Sequence, residues 1–183
     1  MSKEANTREP VDVAPEAAAK AEALVGEADE LLTEALAPGR WPEAETAERF
    51  LSEGKLDRVL ALYGQAMRLD PSEPAYPWNL GSAMNRLGLN DLALGFLTRA
   101  IHLAAQRGES EWSGPDAQLA LAEVAIDAGE YDLALTALAH ARADDQQNGR
   151  GAQIGELLKE VRSEQDDPQP QVSLASLLGR LPA

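Results

Sequence analysis

The side chains best suited to chemistry in this 183-residue chain are its two histidines, His102 and His140. An imidazole titrates near neutral pH and serves as a general acid or base, or as a metal ligand. These two stand 38 residues apart, and the chain has no cysteine to join them as a ligand. Metal sites need closer or motif-borne spacing, so both histidines read as structural or surface residues. The 31 Asp and Glu residues are scattered, and no pair stands out as an acid and a base. The glycines fall singly, so no phosphate-cradling loop is present. The expectation is a protein that is not an enzyme and uses no cofactor or metal. What remains is the chemistry of recognition. Asn79 and Asn85 carry amides that both donate to and accept from the backbone of an extended peptide, and Trp78 offers a broad apolar surface beside them.

The elements that would position these residues follow from a repeated pattern. Gly54, Gly88 and Gly129 open the segments GKLDRVLALYGQAMRLDP, GLNDLALGFLTRAIHL and GEYDLALTALAHAR. The first two glycines are 34 residues apart and the next two 41, a second period lengthened by seven residues. Twelve residues after each glycine stands an alanine, Ala66, Ala100 or Ala141, and seven before it a small residue, Ala47, Gly81 or Ala122. Small residues at fixed phases mark where two helices of a hairpin cross most closely. Phe50, Met84 and Ala125 on the first helices, and Tyr63, Leu97 and Leu138 on the second, occupy the complementary phases. The period predicts an all-α stack of helical hairpins.

These residues resemble the tetratricopeptide repeat, or TPR, and PWNLGSAMNRLGLNDLALGFLTRA, residues 77 to 100, is the nearest copy. Thr46, Val59 and Gln146 depart from the family's leucine, alanine and final proline. The resemblance implies a TPR-like solenoid over 40–148, with repeats at 40–73, 74–107 and 115–148. Stacked hairpins curve, and their first helices line the concave side. On that phase Ala44, Glu45, Glu48 and Leu51 face inward from the first repeat, and Trp78, Asn79, Ser82, Asn85 and Arg86 from the second. Asp116, Leu119, Ala120 and Glu123 do so from the third.

The flanks complete the plan. Residues 1–14, polar and broken by Pro10, read as a disordered N-terminus. Residues 15–37 read as a helix whose stripe of Ala21, Leu24, Val25, Ala28, Leu31, Leu32 and Leu36 needs a partner: the chain's own repeats, a second copy, or a client. The insertion at 104–116 holds Trp112, which either folds back to plug the hairpin junction or meets a partner. A helix at 150–164, with Ile154, Leu157, Leu158 and Val161 on one face, reads as a cap. In the tail, 165–183, an acidic proline-containing linker precedes VSLASLLGRLPA. Leu174, Leu177, Leu178 and Leu181 there have the i, i+3, i+4, i+7 spacing of a short helix that lies in a groove. That segment is a frayed end, a docking peptide for a partner of the kind that carries cargo into protein shells, or a peptide that occupies the chain's own groove.

A net charge of −15 repels phosphates, which argues against nucleic acid and acidic membrane surfaces; it suits solubility, or a basic or amphipathic client. With no signal-peptide or membrane-length apolar run, a cytoplasmic protein is expected. Repeat domains that hold the C-terminal carboxylate of heat-shock chaperones place cationic and amide residues at positions occupied here by Ala44, Glu48, Asn79, Asp116 and Ala120. Asn79 alone matches, so that use is not expected. The layout from Glu53 to Val161 is similar to class II chaperones of type III secretion translocators. That similarity implies a chaperone cradling an extended or amphipathic client segment, and a homodimer through the N-terminal helix. A general scaffold or assembly adaptor, with the leucine tail as docking peptide, is the other reading.

Overall fold

A computed structural model describes residues 13–36, 41–145 and 149–166; residues 1–12, the 37–40 and 146–148 segments and the tail from 167, with its four leucines, lie outside it. The described residues are all-α, with no strand among them. The helices are α1 (Pro15–Thr33), α2 (Ala44–Ser52), α3 (Lys55–Leu69), α4 (Ala75–Arg86), α5 (Asn90–Arg107), α6 (Ser110–Ser113), α7 (Pro115–Ala128), α8 (Tyr131–Asp144) and α9 (Gly151–Asp166).

Turn chemistry divides the chain. Gly54, Gly88 and Gly129 all take positive φ, 70°, 73° and 73°, a conformation that a side chain disfavours and that lets one helix end and the next begin within a few residues. After Met84 and Ala125 the chain closes in the same way: Leu89 N donates to Met84 O at 2.9 Å, and Glu130 N to Ala125 O at 2.8 Å. The resulting hairpins α4/α5 and α7/α8 carry the most extensive helix pairings, with α5 then packing on α7 and α8 on α9.

At the N-terminal end the pairing departs from sequence expectation. The helix packed along α3 is α1, whereas the short α2 meets α3 only lightly. The reason lies in the faces. Ala21, Val25, Ala28 and Leu32 of α1 form a buried stripe along most of that helix, whereas α2 buries Phe50 alone. Polar pairs hold the same register antiparallel. Lys55 meets Glu34, Arg58 meets Glu27, and the Tyr63 hydroxyl donates to Asp29 at 2.6 Å. The apolar stripe of α1 is thus covered by α3, and its solvent face carries Lys20, Glu22, Glu27 and Glu30.

Tyr63 is wholly buried, and burial together with the Asp29 carboxylate raises its phenol pKa. Tyr63→Phe keeps the ring and removes the donor to a charged acceptor, so urea denaturation is expected to show a loss of about 1.5 kcal/mol.

The core runs continuously from Ala21 to Val161. It is built from alanine and leucine, with Ala66, Ala100, Ala122 and Ala141 fully buried. No helix among the described residues is long and apolar enough to cross a membrane.

Candidate functional site

Helix α4 places Trp78, Ser82 and Asn85 at i, i+4 and i+7, so the three share one face. All three are half-buried and Asn79 is exposed beside them. The helix starts at a proline-rich corner, where Pro74 and Pro77 are buried; prolines are tolerated in a first turn because its amide hydrogens have no intrahelical acceptor. Above Trp78 lies the indole of Trp112, delivered by the single-turn α6. The ring centroids are 5.3 Å apart at 66°, an edge-to-face pair. Of the two roles open to Trp112 in sequence, the structure gives it an internal partner, and that partner is itself an inward-phase residue.

The turn that delivers Trp112 depends on Gly114. A Cβ there would collide with the Ser110 carbonyl oxygen, which accepts the Gly114 amide at 2.8 Å. Gly114→Ala is therefore expected to open α6 and unstack the indoles. The near-UV circular dichroism of the tryptophan pair should fall to less than half while far-UV helicity is unchanged.

Asn85 carries the clearest chemical demand of the face. Its Oδ1 is shielded from solvent and receives no hydrogen bond within the described residues, as is true of Asn90 Oδ1 at the start of α5. A buried amide oxygen left unpaired costs about 1–3 kcal/mol, and because this one has no surface open to solvent, a donor from outside reaches it only after the Asn85 side chain turns outward. Asn85 lies two turns along α4 from Trp78, so this face runs from an aromatic surface, beside the exposed Asn79, to a half-buried amide.

The inward-phase residues of α7 are already engaged by the chain itself. Arg150 makes a two-pronged pair with Asp116, and Gln153 Nε2 donates to Glu123 at 3.2 Å. The guanidinium holds the Asp116 carboxyl below its usual pKa. Asp145, buried at the end of α8, accepts from the amides of Gly149 and Arg150 at 3.2 and 3.0 Å and so anchors the start of α9. Ala120 is half-buried.

Leu119 requires a correction. Expected on the inner wall, it is 2% exposed and belongs to the core, because α7 is covered on more than one side by α5, α8 and α9. Ala44, Glu45 and Glu48 are exposed and Leu51 half-buried on α2. With α1 in the place beside α3, these four residues do not extend the α4 face through a hairpin partner. Arg86 is half-buried at the end of α4.

On the face formed by α5 and α8 a cleft of about 270 Å³ is lined by both histidines, His102 from the α5 side and His140 from the α8 side. They lie 38 residues apart in sequence; the stacking of the second helices brings them to one cleft. Gln106 Nε2 lies 2.8 Å from His102 Nε2 and donates to it. Among the described residues no three His, Asp or Glu side chains gather as a metal site would require. Compared with known proteins, the chain matches no family model and no curated protein.

Proposed function

We propose that this chain is a protein-binding TPR-like module, a three-repeat solenoid that holds an extended or amphipathic client segment along the face of α4, in the manner of a cytoplasmic chaperone or adaptor similar to those of type III secretion translocators. The observation that carries the reading is the placing on α4 of the half-buried Trp78, paired with Trp112, next to the exposed amide of Asn79. An aromatic surface supplies apolar contact area with few rotamers to freeze, and an exposed amide both donates to and accepts from the backbone of an extended chain. Asn85, half-buried two turns further along, would add a second amide once its side chain turns outward. Because the helices are ordered beforehand, most of the ordering entropy falls on the client, and affinity rests on a few anchors.

Charge narrows the client. At −15 the chain attracts cationic segments, and such attraction weakens as salt rises. The test is an array of immobilised 15-residue peptides, basic amphipathic, acidic amphipathic and uncharged polar, probed with the full-length protein at low and physiological salt. Retention of basic amphipathic peptides supports the reading. Retention of none, or of all three classes alike, contradicts it.

A further inference from the structure

We propose that the cleft between α5 and α8 is the docking site for the chain's own leucine segment, residues 174–181. The cleft lies on the face made by the second helices and is separate from the α4 face, so the inference stands independently of the proposed client site.

Dimensions support the match. One edge of the cleft runs along α5 from Thr98 to Ala105, and the other along α8 from Leu133 to His140. Each spans seven residue steps, a rise of about 10.5 Å in a helix. Leu174 to Leu181 is also seven steps, so a helical segment would carry its four leucines over the same length. The floor is apolar, from Ile101, Leu121, Leu133 and Ala137, and Ile101 and Leu133 are only half-buried. Leucines at i, i+3, i+4 and i+7 present one apolar stripe to such a floor. Two helical turns do not hold in water unaided, so the segment would gain its helix by docking.

The position of α9 puts this cleft within reach. Arg150, the residue just before its first turn, is pinned to Asp116 and Asp145, and the Gln153–Glu123 bond follows further along α7, so α9 runs alongside α7 and antiparallel to α8. With 16 residues against 14, its end comes level with the first turn of α8, where Leu133 begins the cleft edge. The two sides of α8 are about one helix diameter apart, roughly 10–12 Å. Seven residues, 167–173, connect Asp166 to Leu174, and an extended chain of that length spans up to about 23 Å.

Other occupants fit less well. A second copy would bring another −15 of charge and would need about 20–30 residues a side, against two edges of eight. A free peptide lacks the effective concentration, in the millimolar range, that a short tether confers.

The absence of cysteine from the sequence gives a clean test in the full-length protein. Ala175→Cys is combined separately with Thr98→Cys, with Thr136→Cys, both exposed on the cleft edges, and with the distant Ser52→Cys on α2 as reference. Cross-linking by a short bismaleimide is followed by mass spectrometry. At least one cleft pair should react within the chain tenfold or more faster than the reference, and Leu177→Ser with Leu178→Ser should bring that rate down to the reference. Equal rates, a fast rate that survives loss of the leucines, or cross-links formed only between chains would overturn the proposal.

Discussion

Gly81→Leu is expected to destabilise the protein by about 3 kcal/mol and to lower Tm by roughly 6–12 °C, a larger loss than Tyr63→Phe should cause. Gly81 sits where α4 and α5 approach most closely. A Cβ at this position would lie 2.9 Å from Leu97 Cγ and 3.1 Å from the Leu97 backbone nitrogen. A side-chain tip could swing aside, but a backbone atom yields only if the helices part, and parting them opens the tightly packed core around Leu80, Met84 and Leu97. Leucine adds three further carbons beyond that first contact. Gly26, in the middle of α1, provides the contrast, since a Cβ there meets nothing within 4 Å. Gly26→Ala is expected to stabilise by about 0.5–1 kcal/mol through helix propensity alone. Thermal melting of both variants measures the difference; equal Tm values would mean that α4 and α5 do not cross at Gly81.

Trp78→Ala is expected to weaken binding of a retained basic amphipathic peptide about 30-fold, or ~2 kcal/mol, the size of an interface anchor. The substitution removes the aromatic surface from α4 and leaves Trp112 without its edge-to-face partner. Trp78 also packs against the core, so far-UV circular dichroism and Tm must accompany the titration. An unchanged dissociation constant in a folded variant would remove Trp78 from the binding face.

Sequence made the turns and close crossings legible because few residues tolerate them. A left-handed backbone at Gly54, Gly88 and Gly129, and the tight approach of Gly81 to Leu97, each leave a small residue at a fixed phase. The choice between α1 and α2 as partner of α3 was less visible. Both precede α3 and both carry apolar residues, and the choice depends on stripe length: Ala21 to Leu32 covers most of the length of α3, whereas α2 has Phe50 as its one buried residue. Val59, where alanine is usual in the resembled repeat, is fully buried, and with Thr46 of α2, where leucine is usual, it is a local hint that this hairpin is packed differently.

The site was legible only in part, for a related reason. Helical phase gives the direction in which a side chain leaves its own helix, and it placed Trp78, Ser82 and Asn85 together on α4. It does not give what lies opposite. Leu119 has an inward phase and is nonetheless covered, and Asp116 and Glu123 are taken up by Arg150, just ahead of α9, and by Gln153 within it. The pairing of Trp78 with Trp112 and the placing of His102 and His140 on one cleft are likewise products of stacking. No pattern along the sequence encodes them.

Contact between client chains and the α4 face is the central claim. It is tested most directly by placing a photo-crosslinking residue at Asn79, exposed on α4, and in a separate protein at Arg99, exposed on α5, then irradiating each with a basic amphipathic peptide retained on the array. Cross-linked peptide is expected from position 79 and little or none from position 99. Cross-linking only from position 99, or equally from both, would contradict the account.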